Sequence, residues 1–311
     1  MRAMVVQEFG GSPEPAEMPV PAAGPGRIQI HLEAAGVNPY DRKVVDGMLR
    51  DRMPFDFPMI PGTDGAGIVT AVGEGVTDFA VGDRVVGKAV AAPLGHGTFA
   101  EYTAIPADST VAKLPDIVGS IQAAALPTAG LAAQDLLDAA ALVPSQVVLI
   151  NGASGGVGSF LVQLAAAAEV QVIVTARPDD ADRMIRLGAD EVIDYTRGPV
   201  ADQVRAGHPG GVDVLFDLIA PAETFAELIP LVRPGGTAYS TTFAADEATL
   251  HDHGLKGGNL TSTGAAPELR RLLQRVAEGD LVVPIDATRP LTDAAQALSA
   301  TGARGKTVLV I

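Results

Sequence analysis

The sequence predicts an α/β protein in two parts, a compact β-rich domain and a doubly wound parallel sheet. Three observations carry this. The first third of the chain falls into short β-type segments separated by Gly- and Pro-rich turns, the middle alternates apolar strands with amphipathic helices, and the tail is strand-like again. With 311 residues and 47% hydrophobic content, the chain is able to bury a sizeable core.

The β-type segments are residues 4–6, 27–34, 65–72, 84–88 and 100–105. From Ser120 the texture changes. An Ala/Leu-rich segment, 122–141, precedes a strand at 146–151, a helix at 156–168, a strand at 171–176, a helix at 180–187, and strands near 191–193 and 213–217. This alternation means βαβ units and a parallel sheet covered on both faces. A strand at 236–242, the segment 258–264 and a helix at 267–278 close the sheet, and the tail through 307–311 returns to the first domain. The expected division is 1–118 for the first domain, 119–279 for the sheet domain and 280–311 for the return.

Composition narrows the function. The chain has no cysteine, which removes disulfides, iron–sulfur clusters and thiolate zinc sites together. Its five histidines, His31, His96, His208, His251 and His253, follow no recognised ligand spacing, so no metal is expected. A net charge of −15 opposes the phosphate neutralisation that nucleic-acid binding needs. The longest apolar stretch, 161–176, is interrupted by Gln163, Glu169 and Gln171, so no membrane span is expected. The N-terminal residues carry no apolar run of signal length, and the cytoplasm is the expected compartment.

The strand containing Val147, Val148, Leu149 and Ile150 runs directly into Gly152-Ala153-Ser154-Gly155-Gly156-Val157-Gly158 and then into a helix. Glycines let the backbone approach a pyrophosphate, and the helix N-terminus offers unpaired N–H groups and the positive end of its dipole. The spacing is G-x-x-G-x-x-G, and the strand–loop–helix context favours a dinucleotide over a plain glycine-rich turn. The next strand ends at Thr175-Ala176-Arg177. An NAD site would place an Asp or Glu there for the ribose hydroxyls. An Arg suits a 2′-phosphate, which points to NADPH; the alternative is a solvated cation pairing with Asp179 or Asp180.

Several further motifs accompany the loop: Gly36-Val37-Asn38-Pro39-Tyr40-Asp41, Pro61-Gly62-Thr63-Asp64-Gly65-Ala66-Gly67, Val81-Gly82-Asp83-Arg84-Val85, Gly97-Thr98-Phe99-Ala100-Glu101-Tyr102, Ala125-Leu126-Pro127-Thr128-Ala129-Gly130-Leu131, Leu187-Gly188-Ala189-Asp190-Glu191-Val192-Ile193-Asp194-Tyr195, and Gly305-Lys306. In this order and spacing the chain resembles the zinc-free quinone oxidoreductase branch of the medium-chain dehydrogenase/reductase superfamily over nearly its whole length. The resemblance implies a GroES-like catalytic domain made by both chain ends, a Rossmann domain inserted between them, and NADPH in the cleft between the two. The positions that hold catalytic zinc in metal-dependent relatives correspond here to Asn38, Thr63 and Thr128, none of which suits zinc. It further implies Asn38 and Thr128 near the nicotinamide, Ser154, Gly155, Gly156 and Val157 at the pyrophosphate, Thr175 at the strand end, and Tyr195 beside Arg177 at the adenosine phosphate. Two departures stand out: Ala132 replaces a Thr common in relatives, and Ala220-Pro221 replaces a glycine. A homodimer is implied, its edge strands pairing near 259–264.

Tyr40 is the candidate catalytic residue, a phenol able to orient the acceptor oxygen or relay a proton, against the alternative of a packing tyrosine. Phe55, Phe57 and Phe99 are candidates for an apolar wall, with Phe57 expected in the core. Asp64 is assigned a structural role, and Lys306 either approaches the cofactor or forms a surface salt bridge. The expected reaction is NADPH-dependent hydride transfer to a quinone or other conjugated carbonyl. An enoyl or alkenal double-bond reductase is the enzymatic alternative, and a non-catalytic NADPH-binding protein the alternative of another class.

Overall fold

A computed structural model describes residues 1–311. The chain divides into two compact units, Met1–Leu131 with Gly264–Ile311, and Ala132–Thr263. Both expected divisions, after residues 118 and 279, fall inside the first unit. Helix Ser120–Ala124 packs on strands Arg27–Val37 and Asp64–Val72. Helix Ala266–Glu278 lies against strand Val111–Lys113 and buries Leu269, Leu272 and Leu273. Each helix belongs with the sheet that its apolar face covers.

The first unit is built on a seven-stranded sheet. Its order is Ile285–Pro290, Lys306–Val310, Arg27–Val37, Asp64–Val72, Arg84–Lys88, Val111–Lys113, with Tyr102–Pro106 also paired to Arg27–Val37. All these pairings are antiparallel except the first. Along Arg27–Val37, the buried Ile28, Ile30 and Leu32 alternate with Gln29, His31 and Glu33, so one face joins Val69, Val85, Ile105 and Val111 in a core. Phe55–Ile60 and Leu94–His96 form a separate parallel pair. Helix Pro39–Val45 begins with Pro39, whose missing N–H is harmless at that position, and Asp41 accepts the Asn38 backbone N–H at 2.8 Å.

In the second unit six strands are all parallel, in the order Glu191–Asp194, Gln171–Ala176, Val147–Asn151, Val212–Asp217, Val232–Ser240, Lys256–Asn259. Numbered along the chain this is 3-2-1-4-5-6, the doubly wound order of a dinucleotide-binding sheet. The three inner strands are apolar almost without interruption because helices cover both faces. The Ala/Leu-rich segment is not one helix. Pro127 divides it into Ser120–Ala124 and Pro127–Ala140, since proline disfavours a helical residue before it. The last strand ends at Asn259, ahead of the expected 258–264, where the Asn259 side chain binds the backbone of Ala245. No helix is long and apolar enough to cross a membrane.

Candidate functional site

The glycine-rich loop after strand Val147–Asn151 rests on a chain of buried polar groups at the ends of three neighbouring strands. Asn151 Nδ2 donates to Asp217 Oδ1 at 2.7 Å, Thr175 Oγ1 donates to Asn151 Oδ1 at 2.8 Å, and the Gly152 N–H donates to Thr175 Oγ1 at 3.0 Å. Asp217 also accepts the Ala220 N–H at 3.2 Å, so it organises the Ala220-Pro221 turn as well. Burial pushes the Asp217 carboxyl above the ordinary range, against its hydrogen bonds. Gly152 sits at φ +88°, a conformation costly for a side chain. A Cβ on Gly158 would stand 2.5 Å from Ala153 Cα, so helix Gly156–Ala166 meets the loop as closely as glycine allows. No side chain caps this helix at Gly155, which leaves its first N–H groups to an anionic ligand. These features fit a dinucleotide pyrophosphate.

Arg177 follows strand Gln171–Ala176, and Tyr195 follows the adjacent Glu191–Asp194, where Ala176 is in register with Asp194. The two are joined by a 2.9 Å hydrogen bond from Arg177 Nε to Tyr195 Oη on the exposed surface. Asp180 pairs with Arg183 through both carboxylate oxygens, at 2.6 and 2.9 Å. Arg183 also reaches Ser154 O at 2.9 Å and Ser159 Oγ at 3.1 Å, fastening the loop from outside.

In the first unit Asn38, Thr63, Asp64, Thr128 and Lys306 gather around the start of helix Pro39–Val45. Asp64 accepts Asn38 Nδ2 at 3.0 Å, the Thr128 N–H at 3.0 Å and Thr128 Oγ1 at 2.7 Å. Thr63 Oγ1 donates to Asp41 Oδ1 at 2.6 Å. Lys306 is 3% exposed, and its Nζ donates to Val37 O at 2.9 Å and to Asn38 Oδ1. The surface salt-bridge alternative for Lys306 therefore gives way to a buried contact. Burial lowers the Lys306 pKa against the pull of Asp64 and Asp41. Asp41 is pushed up to about 7, chiefly by burial and further by the charge of Asp64, while Thr63, the Asn38 N–H and Lys306 act the other way.

Tyr40, Asp41 and Thr63 line a recess of about 20 Å³, room for one water-sized guest, together with Val44, Met59 and Leu94. The Tyr40 hydroxyl holds its proton more firmly than usual because of burial and the neighbouring Asp41. Of the proposed aromatic wall, no member lines the recess. Phe99 is wholly buried, whereas Phe55 and Phe57 meet Phe9 edge-on, and Phe57, expected in the core, is 40% exposed because its ring caps Phe9 at the surface. His96 binds Asp56 and His208 binds Glu191.

Asp41, Asn151, Asp217 and Arg183 were not singled out by sequence. A signal existed for three of them. Asn151 and Asp217 are polar residues ending apolar strands at the same edge of the sheet, and Asp41 stands three residues after Asn38, the spacing of a helix-start box.

Residues 24–116 match the family model described as an alcohol dehydrogenase GroES-like domain, and residues 187–309 match one described as a zinc-binding dehydrogenase. The donor set does not fit the metal in the second description: no three His, Cys, Asp or Glu side chains stand together as ligands, and Asn38, Thr63 and Thr128 are engaged with carboxylates. The chain is 34% identical to a chloroplast envelope quinone oxidoreductase homolog of Arabidopsis thaliana over 96% of its length and 93% of the relative's. It is 29% identical to an NADPH-dependent alkenal/one oxidoreductase of the same plant, covering 99% of this chain and 79% of that one. The quinone oxidoreductase from Coxiella burnetii superposes with a TM-score of 0.89 at 27% identity, covering 100% and 99% of the two chains. A mycobacterial protein solved in complex with NADPH superposes with a TM-score of 0.86 at 30% identity over the whole of both chains. Two family models, full-length relatives and a parallel sheet of order 3-2-1-4-5-6 agree that this chain is an oxidoreductase belonging to the zinc-free quinone oxidoreductase branch of the medium-chain dehydrogenase/reductase superfamily.

Proposed function

We propose that this oxidoreductase binds NADPH and reduces a quinone or another conjugated carbonyl compound without a metal. The observation that supports the reading most is the Arg177–Tyr195 pair just beyond two adjacent strands of the parallel sheet, the kind of position from which dinucleotide-binding sheets in general reach the adenosine ribose. A guanidinium and a phenol there match a 2′-phosphate, and neither offers the carboxylate that an NAD ribose would bind. The complex of a related protein with NADPH and the printed activities of the relatives support the same reading.

The reduced nicotinamide, when bound, supplies a hydride. The chain supplies the rest. The N–H groups at Gly155, Gly156 and Val157 hold the pyrophosphate, with Ser154 and Thr175 shaping the loop. Thr128 and Asn38 act at the nicotinamide end through Asp64, since both ends of the Asn38 amide are already bonded. Tyr40 donates a hydrogen bond to the acceptor oxygen as negative charge develops on it. The edge strand Lys256–Asn259 pairs with that of a second copy, giving the homodimer.

The test measures dissociation constants for NADPH and NADH in parent and Arg177→Ala, and turnover with quinones, enones, enals and simple ketones. Replacing Arg177 is expected to weaken NADPH roughly tenfold, with NADH nearly unchanged, and the difference should shrink as salt rises. Equal losses for both cofactors would overturn the assignment of Arg177. Turnover confined to simple ketones would overturn the substrate class.

A further inference from the structure

We infer that Asp41 and Thr63 form a proton relay into the recess, supplying the proton that completes reduction of the acceptor. The inference rests on the reductase reading above and adds a proton source to it. Thr63 Oγ1 lies 2.6 Å from Asp41 Oδ1, and both residues line the recess beside Tyr40. The Asn38 N–H holds the other Asp41 oxygen at 2.8 Å, so the carboxyl is fixed towards Thr63. Asp41 and Thr63 are 2% and 4% exposed, which shuts off direct exchange with bulk water except through the recess.

The surrounding charges place a proton on Asp41. The charged groups facing it are Asp64 and Lys306, with Tyr40 adjacent on the same helix. Helix Ala294–Ser299, packed against the Asp41 helix, carries no charge. Two buried carboxylates thus share one buried ammonium, and a proton on one of them removes the excess charge. Asp64 accepts three hydrogen bonds, from Asn38 and twice from Thr128, whereas Asp41 accepts only two, so the proton falls to Asp41. The Asp41 carboxyl, pushed up to about 7, agrees with this distribution.

With Asp41 protonated, its O–H donates to Thr63 Oγ1, and the Thr63 hydroxyl proton turns towards the acceptor's oxygen, the one part of a substrate that a recess of this size admits. Once a hydride has been delivered by the reduced nicotinamide, the substrate carries one negative charge, as an enolate or a hydroquinone anion. The Thr63 O–H bond breaks and its proton joins the substrate; the Asp41 O–H bond breaks and its proton restores the Thr63 hydroxyl. Asp41 is left as a carboxylate, which a proton from solvent neutralises before the next turnover. The sum is one hydride and one proton added to the substrate, with no change of oxidation state in the protein. Tyr40, holding its own proton firmly, serves as a hydrogen-bond donor rather than as the acid.

The test pairs a pH profile with a direct titration. The dependence of kcat/KM on pH is measured with NADPH and an enone for the parent, Asp41→Asn, Thr63→Val and Thr63→Ser. The Asp41 carboxyl is followed in the cofactor-free protein by carbon-13 NMR, with Asp41→Asn assigning the signal. The parent should lose activity about tenfold per pH unit above about pH 7, and the Asp41 signal should titrate in the same range. Asp41→Asn and Thr63→Val should each lower turnover roughly a hundredfold or more and abolish this limb, while Thr63→Ser retains it. In Thr63→Val, Asp41 should still titrate above the ordinary carboxylate range although turnover is lost, an outcome that a packing role for Thr63 does not give. A limb that persists in Asp41→Asn, parent-like turnover in Thr63→Val, or an Asp41 signal titrating near 4 would overturn the relay. If Asp41→Asn fails to fold, the two Thr63 variants and the NMR titration decide. A parent inactive with every acceptor overturns the reductase reading and the relay with it, whereas an active parent with an unchanged Asp41→Asn profile overturns the relay alone.

Discussion

Burying Asp41 works against the fold whenever its carboxyl is ionised. Its folded pKa of about 7 lies above the ordinary 3.8, so the folded state binds this proton more tightly than the unfolded chain does. The sign follows: the contribution favours folding most below about pH 4, declines as pH rises, and levels off above about pH 7. At about 1.4 kcal/mol for each tenfold change in proton affinity, the decline is on the order of 4 kcal/mol. Denaturant unfolding at several pH values should show Asp41→Asn lacking that decline relative to the parent; parallel profiles for the two proteins would contradict it. Single residues also mark where sequence ceases to inform. The pairing of Arg177 with Tyr195 was implied by the family resemblance, and the two side chains do meet at the ends of neighbouring strands. The partners of the buried network are 22, 26, 64 and 268 positions apart, and nothing local in Asp41 or Lys306 announces a contact made by the fold of the whole sheet.

Among the elements, the strand ends of the second unit carry the most chemistry. Asn151, Thr175 and Asp217 finish three adjacent strands, and their hydrogen bonds run into the backbone of Gly152. In Asp217→Asn a buried amide nitrogen would face either Asn151 Nδ2 or the Ala220 N–H, leaving a donor unsatisfied at a cost of about 1–3 kcal/mol. NADPH binding, measured by calorimetry, should weaken by roughly tenfold in this variant. The reciprocal pair Asn151→Asp with Asp217→Asn restores a donor facing an acceptor and should recover most of the affinity; a double variant no better than the single one would show that the charge on Asp217, rather than the chain of bonds, is what matters. The strands themselves were legible because inner parallel strands are apolar throughout and the loop glycines mark where the first one ends. Helix Ala222–Leu228 and the outer strand Ile285–Pro290 were not, being short and only partly covered.

For the whole molecule, the second unit is one uninterrupted stretch of chain, whereas the first is assembled from two stretches on either side of it. Strand Lys306–Val310 sits between Ile285–Pro290 and Arg27–Val37, in the body of the seven-stranded sheet, and Lys306 contacts Val37 across 269 positions. Contacts between distant segments form slowly because a long loop must close before they repay its entropy. Pulse-labelled hydrogen exchange during refolding should therefore protect the amides of Val147–Asn151 and Val212–Asp217 before those of Lys306–Val310; simultaneous protection would argue for one cooperative step. The division was foreseeable only in outline, because the packing of helices Ser120–Ala124 and Ala266–Glu278, rather than the change in composition, decides where the units part. The same arrangement bears on synthesis. A ribosome emits residue 306 long after residue 263, so a nascent chain can complete its parallel sheet while the β-rich unit still lacks an inner strand. Until that strand emerges no ammonium reaches Asn38, and the carboxylates at positions 41 and 64 lack the buried cation whose charge acts on them. A chain stalled between these two points would thus hold a finished parallel sheet while the pocket of Asn38, Asp41 and Asp64 still waits for the lysine that completes it.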